Sequence, residues 1–576
     1  MIKRLLQEVK EYKKASIIAP IVMGVEVTME LMLPLLMGLI IDQGVNKGDM
    51  KAVFIYGALM VLAALIALGL GIINGNYAAY ASAGLVKNIR SSMFRNIQNF
   101  SFENMDKFST SGLVTRMMTD VTNVQNSYQM ALRMMVRAPM MLIVAMAMTF
   151  YINSKLAVVF LVAALFMGLI LTFLIVKVMP IFAEGFAKYD DLNASIQENV
   201  SNIRVVKAYV KEEDEKAKFF NAAAVLRKTF RRAENYLVFN MPIMQLTMYA
   251  TMIALSWFGA KLVSVDGMTT GELMSMFNYT FNILFSLMML SMIFVMFSMS
   301  VASAKRIVEV LEEVPSVVNP ENPIFEIPNG DIEFKDVSFG YYEEEDKYVL
   351  NNVNLKIKAG ETIGILGSTG SSKTTLTSLI PRLYDVKSGA VLVGGIDVRD
   401  YDLKTLRDGV AMVLQKNVLF SGTVIENMRW GNENASVEEV REALALASAL
   451  TFIESMEDKL ESHVEQGGSN FSGGQKQRLT IARALLKKPK ILILDDSTSA
   501  VDTKTDREIR DGLRQTLPEV TKLIISQRIS SIEDADRILV MDEGVIIGEG
   551  THEELLANNE MYQEVYETQK RGDDNE

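Results

Sequence analysis

Roughly the first half of the chain runs in long apolar stretches separated by polar ones, and the second half does not. A membrane helix needs about 20 mostly apolar residues. Six windows meet that requirement, near residues 16–41, 52–81, 131–152, 155–179, 236–263 and 271–299. Short segments, "DQGVNKGDMK" and "SVDGMTT", join the first pair and the last pair. Long polar segments follow the second and fourth windows, reaching to about 130 and about 235. Those segments carry Lys87, Arg90, Arg95, Arg116, Arg204, Lys207, Arg231 and Arg232, and the N-terminus carries Lys3, Arg4, Lys13 and Lys14. Basic residues collect on the cytoplasmic side of a membrane. Both termini and both long segments are therefore expected inside, with small outer loops, in a multi-pass protein of the cell membrane. In "LVKNIRSSMFRNIQNF" apolar residues fall three and four apart, a helical period. Membrane helices that continue into the cytosol as rods fit this pattern, and so does an ordinary cytosolic helical hairpin.

After the last window the proline-rich stretch "EEVPSVVNPENPIFEIPNG" stops the helical pattern, because proline removes a donor and disfavours helix. The expected organisation is a transmembrane domain over 1–311, a linker over 312–330 and a second domain over 331–576. Composition sharpens this division. The chain is 49% hydrophobic and 22% charged, and the two kinds segregate between its halves, as a membrane part fused to a water-soluble α/β part requires. A net charge of −11 argues against nucleic acid as a partner, since phosphate affinity needs a basic footprint. With no cysteine there is neither a disulfide framework nor a thiolate metal site. The opening "MIKRLLQEVKEYKKAS" reaches its apolar run late and has no small-residue cleavage site, so it reads as a retained amphipathic lead-in.

Two pairs of ionisable residues sit within spans: Glu26 and Glu30 in the first, Arg133 and Arg137 in the third. Each pair is four apart and so shares a helix face. Charges at membrane depth are costly and face one another or a cavity. A salt bridge between the two helices and a place on a substrate path are both open. The 37 methionines, dense in "LMSMFNYTFNILFSLMMLSMIFVMFSMS", suit an adaptable binding surface and lipid-facing positions alike.

Chemistry enters in the second domain. "ETIGILG" has the pattern of a buried strand, and "GSTGSSKTTL" follows it into a helix. Strand, loop and helix N-terminus form a cradle whose backbone N–H groups hold phosphates. The cradle residues are Gly367, Ser368, Thr369, Gly370, Ser371, Ser372, Lys373, Thr374 and Thr375. Lys373 is placed to reach the β- and γ-phosphates of ATP and Thr374 to hold Mg²⁺. The general pattern has glycine just before the lysine; here it is Ser372, less tolerant of positive φ. Further on, "ILILDDSTS" reads as a buried strand that delivers an acid to a metal–nucleotide site.

With "FSGGQKQRLTIARALLKKPKILILDD" added, the chain resembles the ATP-binding-cassette (ABC) transporters along essentially its whole length. It is most similar to exporters in which a six-span domain precedes the nucleotide domain. The resemblance implies a membrane all-α domain of six transmembrane helices with long cytosolic extensions, fused to an α/β P-loop nucleotide-binding domain. It implies that Ser472, Gly473, Gly474 and Gln475 belong to the signature motif and that Asp495 is the Mg²⁺-linked acid. Gln415 becomes the Q-loop glutamine, in contact with Mg²⁺ and the reacting groups, and Tyr341 the aromatic that stacks on adenine. The "FSFENMDKF" and "ENVSNIRVVKAYVKEE" segments look like the two coupling-helix regions. In this family two nucleotide domains meet head to tail, so each ATP lies between one P-loop and the other chain's signature motif.

Against that family pattern, Asp496 stands where the catalytic glutamate is expected and Gln527, in "LIISQRIS", where the switch histidine is expected. A base must lie within hydrogen-bonding reach of its water, and a carboxylate one methylene short misses by about 1 Å, a displacement worth about a hundredfold in rate. Glutamine can hydrogen-bond a phosphate but lacks the proton chemistry of imidazole. Ser372, Asp496 and Gln527 all weaken the same site, while the signature motif is intact. The pattern is similar to the degenerate half of bacterial heterodimeric multidrug exporters. It implies a partner half-transporter with the missing glutamate and histidine, and hydrophobic or cationic small molecules as cargo. Export of lipid or peptide, or a nucleotide-sensing regulatory subunit, are the alternatives.

Overall fold

The computed structural model describes residues 1–341 and 348–573; the side chains at positions 190, 294, 295, 298, 299 and 571–573 lie outside the described part. The chain divides into two compact units, one of Met1–Gln98 with Thr110–Glu313, the other of Asn99–Ser109 with Val314–Glu576.

The first unit is helical. Its elements are α1 (Ile2–Gln7), α2 (Lys13–Leu39), α3 (Met50–Gln98), α5 (Thr110–Thr115), α6 (Val121–Ile152), α7 (Ser154–Ser201), α8 (Ile203–Ala208), α9 (Glu212–Leu237), α10 (Asn240–Ser264) and α11 (Thr270–Glu312); α4 (Phe102–Phe108) belongs to the second unit. Among the described residues six helical stretches are long and apolar enough to cross a membrane, and each contains or overlaps one of the windows read from the sequence. Two helices run far beyond membrane thickness: α3 has 49 residues and α7 has 48. At 1.5 Å per residue that is about 70 Å each, more than twice the roughly 30 Å hydrocarbon core. The polar segments after the second and fourth windows are thus rods, not separate hairpins.

Helix α2 contains Pro20 and Pro34. Polar side chains from neighbouring helices reach its carbonyls close to both prolines. Asn74 donates to Ala19 O at 2.6 Å, Tyr279 to Leu31 O at 2.7 Å and Ser275 to Pro34 O at 2.7 Å. Bonds of this kind hold spans together where apolar contact with lipid would serve as well.

The second unit carries two larger sheets. One is antiparallel, in the order β2 (Leu350–Ile357), β1 (Ile332–Phe339), β4 (Ser388–Val393) and β5 (Ile396–Asp397). The other has six strands, in the order β12 (Val545–Gly550), β11 (Arg537–Asp542), β3 (Thr362–Gly367), β10 (Thr521–Ile525), β9 (Ile491–Asp495) and β6 (Val410–Val413). All its pairings are parallel except β11 with β12. Every residue of β9 and of β10 is buried. Strands buried along their whole length are covered on both faces, and each fully buried Ile or Leu contributes roughly 1.5–3 kcal/mol. The register sets Ile525 beside both Asp495 and Ile365, so β9 and β10 end together and β3 ends two residues beyond them. Ligands of open α/β sheets bind outside such carboxyl ends.

Candidate functional site

Between β3 and α12 (Lys373–Ser378) the chain makes the phosphate-cradle loop. Gly367 has no room for a side chain: a Cβ there would lie 2.3 Å from Met541 O. Gly370 takes φ +91°, a conformation L side chains rarely adopt. Ser372 also has positive φ, at +71°, in the left-handed region. The sequence thus places serine where the backbone favours glycine, at a cost of roughly 1–2 kcal/mol. The loop closes on Lys373, whose ammonium donates to Gly367 O at 2.9 Å, Ser368 O at 2.7 Å and Ser371 Oγ at 3.1 Å. Burial pushes this lysine below the ordinary range, against the pull of Asp495 and Asp496. Ser368 also donates to Asp542, and Thr369 is exposed on the loop.

Asp495 ends β9 and accepts a 2.8 Å hydrogen bond from Thr374 at the start of α12. The two residues predicted to share a cation therefore meet. Burial raises the Asp495 carboxyl above the usual aspartate range, with the Thr374 bond opposing it. A lowered lysine and a raised aspartate side by side mark charges short of solvation, which phosphate and cation together would supply. Asp496 follows at φ +47° and is only partly buried. Aspartate is among the residues that tolerate this left-handed region best. Gln527 is exposed after β10, and its carbonyl accepts from Gln569 at 2.7 Å. Gln415 is exposed on the loop after β6.

Ser472 caps the helix Gly473–Leu485. Its N–H donates to Gln475 Oε1 at 2.9 Å, and its Oγ accepts from the Gln475 N–H at 3.3 Å. This reciprocal pair satisfies donors that a helix start otherwise leaves open. Gly474 lies so close to the next loop that a Cβ would fall 2.7 Å from Ala500 O. Gln477, not singled out from the sequence, ties these pieces together. Its Oε1 accepts from the Ala500 N–H at 2.9 Å, and its Nε2 donates to Ser499 Oγ at 3.2 Å.

Tyr341 shares a 2.8 Å hydrogen bond with Thr375 and lies edge-on to Tyr384, ring centroids 5.3 Å apart. Tyr384 is a second residue the sequence did not mark. It meets Phe102 of α4 edge-on, and its hydroxyl donates to Asp106 of α4 at 2.8 Å. Segment α4 is held by a capping box of Ser101 and Asn104, whereas α8, the other coupling-like segment, buries none of its residues.

In the helical unit Arg137 bridges both glutamates, at 2.9 Å to Glu26 and 2.5 Å to Glu30. Arg133 is exposed and stands outside this triad. A cavity of about 310 Å³ adjoins it, lined by Glu30 and Arg137 with Met244, Met248, Phe281 and Phe285 among others.

The ABC transporter transmembrane region family matches residues 17–288, and the ABC transporter family matches residues 350–499. The "Uncharacterized ABC transporter ATP-binding protein YfiB" of Bacillus subtilis (strain 168) is 37% identical, with 98% of both chains covered. The "ATP-dependent lipid A-core flippase" of Desulfotalea psychrophila is 32% identical, with 99% of both covered. The "Putative multidrug export ATP-binding/permease protein YgaD" of Bacillus subtilis is 29% identical, again with 99% of both covered. A solved structure, a bacterial Atm1-family ABC exporter with ATP bound, superposes with a TM-score of 0.81 at 22% identity, covering 96% of this chain and 98% of that one, which speaks for the fold. With both units matched and relatives above 30% identity along their full length, the chain belongs to the ABC transporters, as an exporter that fuses a transmembrane region to an ATP-binding domain.

Proposed function

We propose that this chain is one half of a heterodimeric exporter of amphipathic small molecules. Its own P-loop binds Mg-ATP and hydrolyses it slowly, while its signature motif completes the working site on the partner's P-loop. The observation that carries this reading is the aspartate at position 496, beside the acid that ends β9. The shorter carboxylate fails to reach the water a glutamate would activate. Gln527 and Ser372 weaken the same site independently.

The chain's residues fit a cation. Thr374 Oγ1 and Asp495 Oδ2 lie within hydrogen-bonding distance of each other, and Mg²⁺ prefers one or two such oxygens, completing its shell with water and phosphate. Mg²⁺, when bound, neutralises charge on the phosphates; Gln415 is the third proposed contact. Lys373 holds the β- and γ-phosphates in place of the loop carbonyls it now meets. Tyr341 exchanges its edge contacts for the adenine face. Ser472 and the N–H groups that open its helix stabilise charge on the phosphoryl group of the partner's nucleotide. Glu26, Glu30 and Arg137 line the substrate path, and Arg133 is set aside from it. A lipid cargo is the second reading, favoured by the similarity to a lipid A-core flippase.

Steady-state ATPase of the purified chain, alone and co-expressed with a half-transporter carrying glutamate and histidine at the two positions, tests the proposal. Slow turnover alone and restored turnover together are expected. Fast hydrolysis by a verified homodimer overturns it.

A further inference from the structure

We infer that the Glu26–Arg137–Glu30 triad is a cation-exchange site. Glu30 releases Arg137 to take the cationic group of an amphiphile seated in the adjoining cavity, while Glu26 keeps Arg137 paired. The inference rests on the small-molecule export reading and names the charge class of the cargo.

Charge count comes first. Two carboxylates share one guanidinium, so the triad itself carries one net negative charge. Arginine does not deprotonate in proteins, so the triad reaches neutrality by gaining one positive charge. An incoming anion would instead have to draw Arg137 off both glutamates and leave two carboxylates unpaired, which low-dielectric surroundings oppose.

The two glutamates are not equivalent. The Glu26 side chain is 14% exposed and that of Glu30 is 37% exposed, with Arg137 between them at 24%. Glu26 is walled in by α3, for a Cβ on Gly71 would stand 3.4 Å from its carboxylate. Its second oxygen is buried without a hydrogen-bond partner. Glu30 and Arg137 line the cavity and Glu26 does not. Only the Glu30 end of the bridge therefore opens to a ligand, and breaking that end strands no charge.

The remaining wall suits the rest of such a molecule. Met244 and Met248 offer polarisable, adaptable contacts, and Phe281 and Phe285 offer ring faces that attract cations. A volume of about 310 Å³ sits at the lower end of the range for small-molecule sites.

The test measures binding of tetraphenylphosphonium, a permanent lipophilic cation, and of uncharged triphenylphosphine oxide to the full-length chain in lipid nanodiscs. Glu30→Gln should weaken the cation by about tenfold or more, as loss of one member of a buried charge pair does, and leave the neutral probe within about twofold. Glu30→Asp keeps the carboxylate and should keep the preference for the cation, which separates charge from a folding defect. Glu26→Gln removes the carboxylate that keeps Arg137 paired when Glu30 lets go, so it too should weaken the cation and leave the neutral probe within about twofold. If the wild type binds both probes and Glu30→Gln changes neither, or both equally, the exchange site is wrong and the export reading stands. If the wild type binds neither probe, both fall.

Discussion

At the phosphate cradle, Ser372 and Asp496 occupy φ +71° and +47°, whereas at the signature motif Ser472 sits at φ −66° and caps its helix with both hydrogen bonds made. The first face has taken on non-glycine left-handed residues and a short carboxylate. The second keeps its glycine contact with Ala500 and its cap intact. Both belong to one compact unit and one sheet system, so a general loss of stability cannot account for the difference. In the proposed heterodimer each face would serve a different nucleotide, and one chain would relax one reaction while holding the geometry of another.

The largest effect that sharpens this comparison comes from mutating the signature face. Ser472→Arg should lower ATPase of the proposed heterodimer by about a hundredfold or more, the scale on which losing a positioned donor acts. Asp496→Asn in the same assembly should leave activity within about twofold if, as proposed, this site hydrolyses slowly. Steady-state rates at saturating Mg-ATP decide, and equal losses from the two changes would mean equivalent faces.

A smaller gain is expected from repairing the weak face. In the chain studied alone, Asp496→Glu with Gln527→His should raise ATPase by roughly tenfold to a hundredfold, up to the loss that a misplacement of about 1 Å causes. No gain would show that the backbone around φ +47°, rather than side-chain length, limits the site.

The smallest effect concerns Ser372. Its left-handed conformation costs roughly 1–2 kcal/mol, and glycine's freedom in the unfolded chain returns about 0.5–1 kcal/mol of that. Ser372→Gly should therefore stabilise the nucleotide-binding unit by about 0.5 kcal/mol or slightly more, read as a small rise in thermal midpoint without nucleotide. A fall in midpoint would show that the serine makes a compensating contact.

Much of this was legible from residue order because its signals are local. The apolar windows declare themselves over about 20 residues each, and the loop from Gly367 to Lys373 and the run into Asp495 within about a dozen. Gln477 did not, since its partners Ser499 and Ala500 come some twenty residues later and a polar residue inside a helix carries no mark of them. Tyr384 was hidden for the same reason, its partner Asp106 lying 278 residues away. Spacing could not choose between Arg133 and Arg137, which share a helix face. The choice depends on depth, one helical turn being about 5.4 Å, and only Arg137 is level with both glutamates.

The two longest helices carry a mechanical consequence. Subtracting a roughly 30 Å hydrocarbon core leaves about 40 Å of α3 and of α7 projecting beyond it. A rigid arm of that length, tilted by about 10° at the bilayer, carries its tip through about 7 Å. Small rearrangements among the spans are thus geared up at the far ends, and small forces applied there act on the spans with greater force over a smaller distance. The two arms do not share the same stiffness. Helix α3 has no proline, while α7 contains Pro180, which removes one hydrogen bond of its ladder. One arm is a plain lever and the other has an elbow, so the same displacement at the bilayer reaches their tips with different gain.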